Sequence, residues 1–121
     1  SRNGEDGKTI IENKEVHVET KTSKTSKGKT SFAFHAKGLI NHTLYIFNVW
    51  EKDTLKPLRC YYVINPSKVD MINKKLLEMS KEWEKKPSTK AGYDVIRINE
   101  TFLEEMIEKK KIINNCEVYI L

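Results

Sequence analysis

The sequence predicts an α+β domain in which a mixed β-sheet, beginning with an N-terminal β-hairpin, is flanked by two helices. Two short runs of alternating apolar residues surround Asn13-Lys14 near the start of the chain. Later apolar runs have the length of strands, and two segments repeat apolar residues at helical spacing. The 121 residues are enough for one core, so we expect a single domain over residues 1–121.

The hairpin is predicted over residues 6–21. Asn13 and Lys14 are taken as its turn, because asparagine tolerates the positive φ that a two-residue turn requires. Lys8 then faces Glu19, and alternation separates a polar side from a side against the core. The polar side carries Asp6, Lys8, His17, Glu19 and Lys21, and the core side carries Thr9, Ile11, Val16 and Val18.

A polar segment, residues 22–31, follows the hairpin and contains no apolar side chain, so we expect a mobile loop. Residues 31–35 then alternate as a short strand with Phe32 and Phe34 directed into the core. Such spacing also suits stacking on unpaired bases, but the pattern exposes few other aromatic side chains, which favours the core.

Two apolar strands form the centre of the predicted sheet. Residues 42–50 are apolar on both faces, as in a central strand. Residues 58–64 form the next strand, which stops before Pro66 because proline cannot donate a hydrogen bond to a sheet. The connection between them is short and polar, so the two strands are expected to pair antiparallel.

The first helix is predicted to begin at Ser67, with Asp70 in the capping position. Its apolar residues recur at intervals of three and four and most simply pack on the sheet, although they could also form a seam for a partner helix. This stripe consists of Val69, Ile72, Leu76, Met79 and Trp83.

The second helix is predicted from Thr101, which forms a capping box with Glu104, through about residue 111. Residues 93–98 form a strand before it. Residues 116–121 form the last strand of the sheet, which we expect to contain five to seven strands.

Composition excludes several classes of protein. No apolar run approaches the ~20 residues that span a bilayer, and the first residues lack the apolar core of a signal peptide. We therefore expect an intracellular protein, cytoplasmic or nucleoid-associated, without a membrane partner.

Cys60 and Cys116 lie in apolar runs typical of buried thiols, and the histidines lack zinc-ligand spacing. The net charge of +5 and pI near 9.1 favour an anionic partner such as nucleic acid.

Two carboxylates on the polar side of the hairpin indicate a metal site. Asp6 and Glu19 are diagonal neighbours, so their backbones are expected roughly 7–8 Å apart, within reach of one shared cation. Carboxylate oxygens suit Mg²⁺, with Mn²⁺ as a substitute. Lys21 projects beside this site, where its ammonium group can hold an attacking water or stabilise a phosphate under attack.

An acid followed after a gap by Glu-x-Lys on an apolar strand resembles the PD-(D/E)xK, or restriction-endonuclease-like, nuclease superfamily. The Glu-x-Lys triplet occurs four times in the chain. Only the copy at Glu19 lies in an alternating strand and has an acid on the same face earlier in the chain. The resemblance implies a restriction-endonuclease-like core in which Asp6, Glu19 and the carbonyl of Thr20 bind the metal and Lys21 completes the catalytic set. It also implies metal-dependent hydrolysis of phosphodiester bonds in double-stranded DNA, as in a restriction or homing-type endonuclease.

The resemblance covers residues 6–64 and departs from the family pattern in two places. Glu5 stands where the family has proline, and five residues precede Asp6 where family members carry a helix. We therefore expect a fragment of a longer nuclease, working within a larger parent chain or as a homodimer that completes the site.

Three lysines after the hairpin, Lys24, Lys27 and Lys29, are expected to contact DNA phosphates. Two other functions remain open. One is a non-catalytic nucleic-acid-binding module that keeps these lysines without the metal, and the other is an assembly domain that binds through the stripe of the first helix. The hairpin itself could also be a surface element held by cross-strand ion pairs such as Lys8–Glu19.

Overall fold

The computed structural model describes residues 7–11, 13–37, 44–85 and 95–121. Along these residues it contains the expected mixture of strands and helices, which confirms the α+β class. None of the described helices is long and apolar enough to cross a membrane. The elements are β1 (Gly7–Ile11), β2 (Lys14–Thr25), β3 (Ser31–His35), β4 (Leu44–Glu51), β5 (Pro57–Val63), α1 (Pro66–Glu84), β6 (Val95–Asn99), α2 (Glu100–Glu104), β7 (Lys109–Ile113) and β8 (Cys116–Ile120).

The described strands form two sheets. The main sheet has six strands in the order β1-β2-β4-β5-β8-β7, and β3 pairs with β6 in a separate two-stranded sheet. In the main sheet the β2–β4 and β5–β8 pairs are parallel, and the other neighbours are antiparallel. The predicted mixed sheet and the predicted antiparallel pairing of β4 with β5 are therefore confirmed.

The core lies on one face of the main sheet, which we call the inner face. Its fully buried side chains pack against β3, β6 and both helices, and they include Tyr45, Phe47, Val49, Tyr61 and Val63. The rings of Phe32 and Phe47 lie 4.7 Å apart, so the aromatic pattern of β3 is core packing, as predicted. The opposite face, which we call the outward face, carries the intervening residues of the same strands, among them Val18, Ile46, Tyr62 and Ile120.

Helix α1 begins at Pro66, one residue earlier than predicted. Asn65 is its N-cap, with its Oδ1 accepting a hydrogen bond from the backbone N–H of Ser67 at 2.9 Å. Proline suits the first helical position because no N–H is needed there. The capping role predicted for Asp70 is therefore wrong.

The apolar stripe of α1 is used inside this chain. Val69, Ile72 and Leu76 are buried in the core, and Met79 and Trp83 pack against it. The seam for a partner helix, on which the predicted assembly function depended, is therefore already occupied by the core.

The predicted second helix is wrong beyond its first turn. The predicted capping box of Thr101 with Glu104 is wrong too, because α2 begins at Glu100, its N-cap is Asn99, and no side-chain hydrogen bond caps it. Helix α2 has only five residues, and the lysine-rich segment after it forms strand β7. Asn114 and Asn115 both have positive φ, 50° and 64°, and they make the tight turn between β7 and β8.

The N-terminal hairpin is confirmed, but its turn lies one residue earlier than predicted. Ile11 pairs with Lys14, so residues 12 and 13 connect the strands. Lys8 consequently faces His17 and not Glu19, and the predicted Lys8–Glu19 cross-strand pair is wrong. Moving the turn by one residue shifts the pairing by two, so the residues that share a side remain the same.

Candidate active site

Glu19 and Lys21 lie two residues apart on β2, so their side chains share the inner face of the main sheet. Nζ of Lys21 is 3.4 Å from Oε1 of Glu19. Glu19 is only 2% exposed, whereas the side chain of Lys21 is 26% exposed and its ammonium group lies 4.8 Å from the ring centroid of Phe34. The carboxylate is thus buried with its charge compensated, and the lysine reaches the surface.

The side of the hairpin predicted to face solvent faces the core. Glu19 pairs with Tyr45 and Lys21 with Phe47, and both aromatic residues are fully buried. Val18, predicted to lie in the core, is on the outward face. Alternation determines which residues share a face, and it does not determine which face is covered. Here β3, β6 and α1 cover the aromatic side of β4, which brings the polar residues of β2 inside.

Tyr45 connects the position of Glu19 to helix α1. Its hydroxyl donates a hydrogen bond to Oδ1 of Asn73 at 2.5 Å. Burial and the neighbouring charge of Glu19 raise the pKa of Tyr45, so the phenol stays neutral at physiological pH. The region between β2, β4 and α1 therefore contains a carboxylate, an ammonium group, a neutral phenol and an amide.

The described residues supply part of the predicted metal-binding set. Asp6 lies outside them, and the side chain of Thr20 is exposed on the outward face. Within the described ranges no three His, Cys, Asp or Glu side chains lie together as a metal site would require. Glu19 is nevertheless a hard oxygen donor, and its chemistry fits Mg²⁺.

The three lysines predicted to bind DNA are all exposed. Lys24 follows Lys21 at an odd interval on β2 and therefore lies on the outward face. Lys27 lies in the turn after β2, and the ammonium group of Lys29 contacts Oε1 of Glu104. Their common role on one DNA-binding surface stays a prediction.

A buried ion pair, which the sequence analysis missed, holds the segment between β2 and β3. Glu100 is fully buried, and its carboxylate accepts hydrogen bonds from Nε and Nη2 of Arg59 at 2.7 and 2.8 Å. It also accepts from the hydroxyl of Tyr61 at 2.5 Å and from the backbone N–H of Thr30 at 2.9 Å. Arg59 Nη2 donates further to the carbonyl of Gly28 at 2.8 Å. The mobile loop predicted over residues 22–31 is therefore wrong, because residues 22–25 continue strand β2 and the segment after them is held by β5 and α2.

These contacts keep Glu100 ionised. Burial alone would raise the pKa of Glu100, but the hydrogen bonds from Arg59, Tyr61 and Thr30 outweigh it and lower that pKa. One signal for this cluster was present in the sequence. Arg59 is the only charged residue of β5, and a charge inside an apolar strand requires a buried partner.

No family model matches this chain, and no curated protein or solved structure matches it either. Its functional residues are therefore argued from their own geometry. Two buried carboxylates in the described core have a basic partner, Glu19 with Lys21 and Glu100 with Arg59. The second is enclosed by four hydrogen bonds, whereas the first has a partner that reaches the surface, so the first is the candidate for chemistry.

An open cleft of about 510 Å³ lies between α1 and β6. Its lining combines apolar side chains such as Trp83 with charged ones such as Glu82 and Arg97. Neither Glu19 nor Lys21 lines this cleft. It is therefore separate from the candidate active site.

Proposed function

We propose that this domain is a metal-dependent DNA endonuclease of restriction or homing type that hydrolyses phosphodiester bonds in double-stranded DNA. The observation that carries the proposal is the pair of Glu19 and Lys21, 3.4 Å apart on one face of the strand that follows an N-terminal hairpin. The mixed sheet around this hairpin supports a restriction-endonuclease-like core. We also propose that the active unit is a homodimer or a larger parent chain.

Glu19, with Asp6 and the carbonyl of Thr20, would hold Mg²⁺, which when bound supplies Lewis-acid stabilisation of the phosphate. Lys21 would stabilise the negative charge that grows on the phosphate oxygens as water attacks. Without substrate, Lys21 compensates the buried carboxylate of Glu19, which would otherwise be costly to keep ionised. Tyr45, being neutral, adds no competing charge at the same junction.

Plasmid nicking in Mg²⁺ and in EDTA tests the proposal. Glu19→Gln should abolish cleavage and weaken Mg²⁺ or Mn²⁺ binding in calorimetry, because it removes a charged ligand. Lys21→Ala should slow cleavage about 10²–10³-fold with metal binding retained, because it removes charge stabilisation in the transition state.

Glu15→Gln is the matched control, since it makes the same change at an exposed position of the same strand and should cut like the wild type. Far-UV circular dichroism and a thermal melt establish that each variant is folded. If the folded Glu19→Gln variant cleaves as fast as the wild type, Glu19 is not part of the active site. If the wild-type protein never cleaves DNA, the proposal that it is an enzyme is refuted.

A second candidate is a non-catalytic nucleic-acid-binding module. The near-complete burial of Glu19 favours it, because a purely structural ion pair with Lys21 would be buried in the same way. Exposed Lys24 and Lys27 would then supply phosphate contacts. DNA affinity in EDTA should fall with salt, and each lost contact should reduce the slope of log affinity against log salt by about 0.9. Lys29→Ala should change less, since Glu104 already contacts that ammonium group.

A further inference from the structure

The outward face of the main sheet is apolar although no described element covers it. Its apolar side chains do not belong to the core cluster of the inner face. Tyr62 is 38% exposed, whereas Cys60 and Val118 on the same face are 8% and 7% exposed. A sheet face that is exposed to water normally carries polar residues, so an apolar face indicates an interaction site. The apolar centre lies on β4, β5 and β8 and consists of Leu44, Ile46, Trp50, Cys60, Tyr62, Val118 and Ile120.

The strand register arranges this face into rows that run from β2 to β7. The central rows begin with a threonine on β2, carry apolar side chains on β5 and β8, and end with a lysine on β7. One row is Thr20, Ile46, Tyr62, Ile120 and Lys109, and the next is Thr22, Asn48, Cys60, Val118 and Lys111.

The charged side chains described on the outward face are all lysines. Lys24 lies on β2 beside Trp50, and Lys109 and Lys111 lie on β7. Among the described residues of this face there is no acid. A partner with acidic groups on both sides of an apolar surface would therefore match the charge of this face.

We propose that the outward face is the docking site for an amphipathic helix of a partner chain that carries acidic residues along both flanks. Neighbouring strands are ≈ 4.8 Å apart, so β4, β5 and β8 span about 10 Å, which equals the width of one helix with its side chains. A helix centred on β5 would cover the apolar rows and place its flanks over Lys24 on one side and Lys109 on the other. The site is on the opposite side of the sheet from Glu19 and does not depend on nuclease activity.

A second copy of this chain fits the surface less well. Two identical faces packed together about a two-fold axis bring sheet edges onto sheet edges. In either orientation lysines of one copy would approach lysines of the other, because Lys24 lies at one edge and Lys109 and Lys111 at the other. Like charges at a contact oppose association.

The probe is a synthetic 18-residue amphipathic peptide with a leucine stripe and glutamate on both flanks, compared with the same peptide carrying lysine on the flanks. Fluorescence anisotropy of the labelled peptides against the full chain should show at least about tenfold tighter binding of the glutamate peptide, with the difference shrinking as salt rises. Ile46→Lys should abolish binding. Leu77→Lys is the matched control, because it also replaces an aliphatic side chain with lysine and Leu77 is exposed on α1.

The double variant Lys109→Glu/Lys111→Glu should reverse the preference between the two peptides. Both positions are exposed, so this test stands even where Ile46→Lys fails to fold. Equal affinity for the two peptides, or no binding of the glutamate peptide, would overturn the proposal. If sedimentation shows a concentration-dependent dimer that Ile46→Lys dissociates, the face binds a second copy of this chain instead. If a single-stranded dT20 oligonucleotide displaces the peptide, the face binds nucleic acid instead.

Discussion

The ion pair between Arg59 and Glu100 joins β5 of the main sheet to α2, which directly follows β6. Replacing Arg59 with methionine tests its strength. The substitution keeps an apolar stem of similar length and removes the guanidinium. Two hydrogen bonds to Glu100, at 2.7 and 2.8 Å, and one to the carbonyl of Gly28 at 2.8 Å are lost. Glu100 stays buried with only Tyr61 and the Thr30 N–H as partners. Leaving one charge of a buried pair uncompensated costs about 3–5 kcal/mol, and for a domain of this size that lowers the melting temperature by roughly 10–20 °C.

Urea unfolding at pH 7, followed by tryptophan fluorescence, measures this loss. Arg97→Met is the matched control, since it makes the same change at an exposed position of β6 and should alter the free energy of unfolding by less than about 0.5 kcal/mol. A loss below about 1 kcal/mol for Arg59→Met would refute the reasoning, because a pair that mattered so little could not keep a buried carboxylate ionised.

The pH dependence of stability provides a second measurement on the same pair. The pKa of Glu100 in the folded protein is lower than its ordinary value. Its contribution to stability is therefore complete above the unfolded pKa of about 4.3 and is lost as the pH falls through the folded pKa. Removing Arg59 raises the folded pKa, so acid unfolding of the Arg59→Met variant should begin at a higher pH than in the wild type.

Three further outcomes follow from the described contacts. Phe47→Ala should cost about 3–5 kcal/mol in urea unfolding, and Ile46→Ala on the outward face clearly less; equal losses would contradict the assignment of faces. Asn65→Ala should lower the free energy of unfolding by about 0.5–2 kcal/mol, because it removes the N-cap of α1. An unchanged urea midpoint would contradict this capping role. Because Tyr45 and Tyr61 have raised pKa values, their neutral forms stabilise the fold below the unfolded pKa of about 10, and this stability is lost as the pH rises beyond it. In absorbance titration at 295 nm both should ionise only together with unfolding.

The fold class could be predicted because alternation and turn residues are local signals. Strand β3 and the β4–β5 pair lie almost where their apolar patterns place them. The covered side of β2 could not be predicted in this way. Every inner position of its second half is polar, with Glu19, Lys21 and Ser23 facing the core, and its neighbour β4 is apolar on both sides. Only the positions of β3, β6 and α1 decide which side is covered, and those are set by tertiary packing.

The sequence predicts a helix where β7 forms, because a short run of apolar residues at helical spacing leads into this lysine-rich strand. The stronger signal was Asn114-Asn115, since two residues that tolerate positive φ between two strand-like runs indicate a hairpin. Within the candidate site, Glu19 and Lys21 could be paired by strand alternation alone. Tyr45 and Asn73 could not, because they come from elements far along the chain. The parallel pairing of β2 with β4 brings Tyr45 beside Glu19, and the hydrogen bond from Tyr45 brings Asn73 of α1 to the same place.

The position of β8 in the main sheet governs the order in which the chain can fold. Strand β7 precedes β8 in the sequence, yet it joins the sheet only through β8, which lies between β7 and β5. During synthesis one edge of β5 therefore stays unpaired until residues 116–120 have left the ribosome. An open edge of this kind is a template for pairing with other chains, and the long sequence separation between β5 and β8 makes its closure slow. Translation of β8, and not the early formation of the hairpin, thus sets how long this edge of β5 is exposed to aggregation.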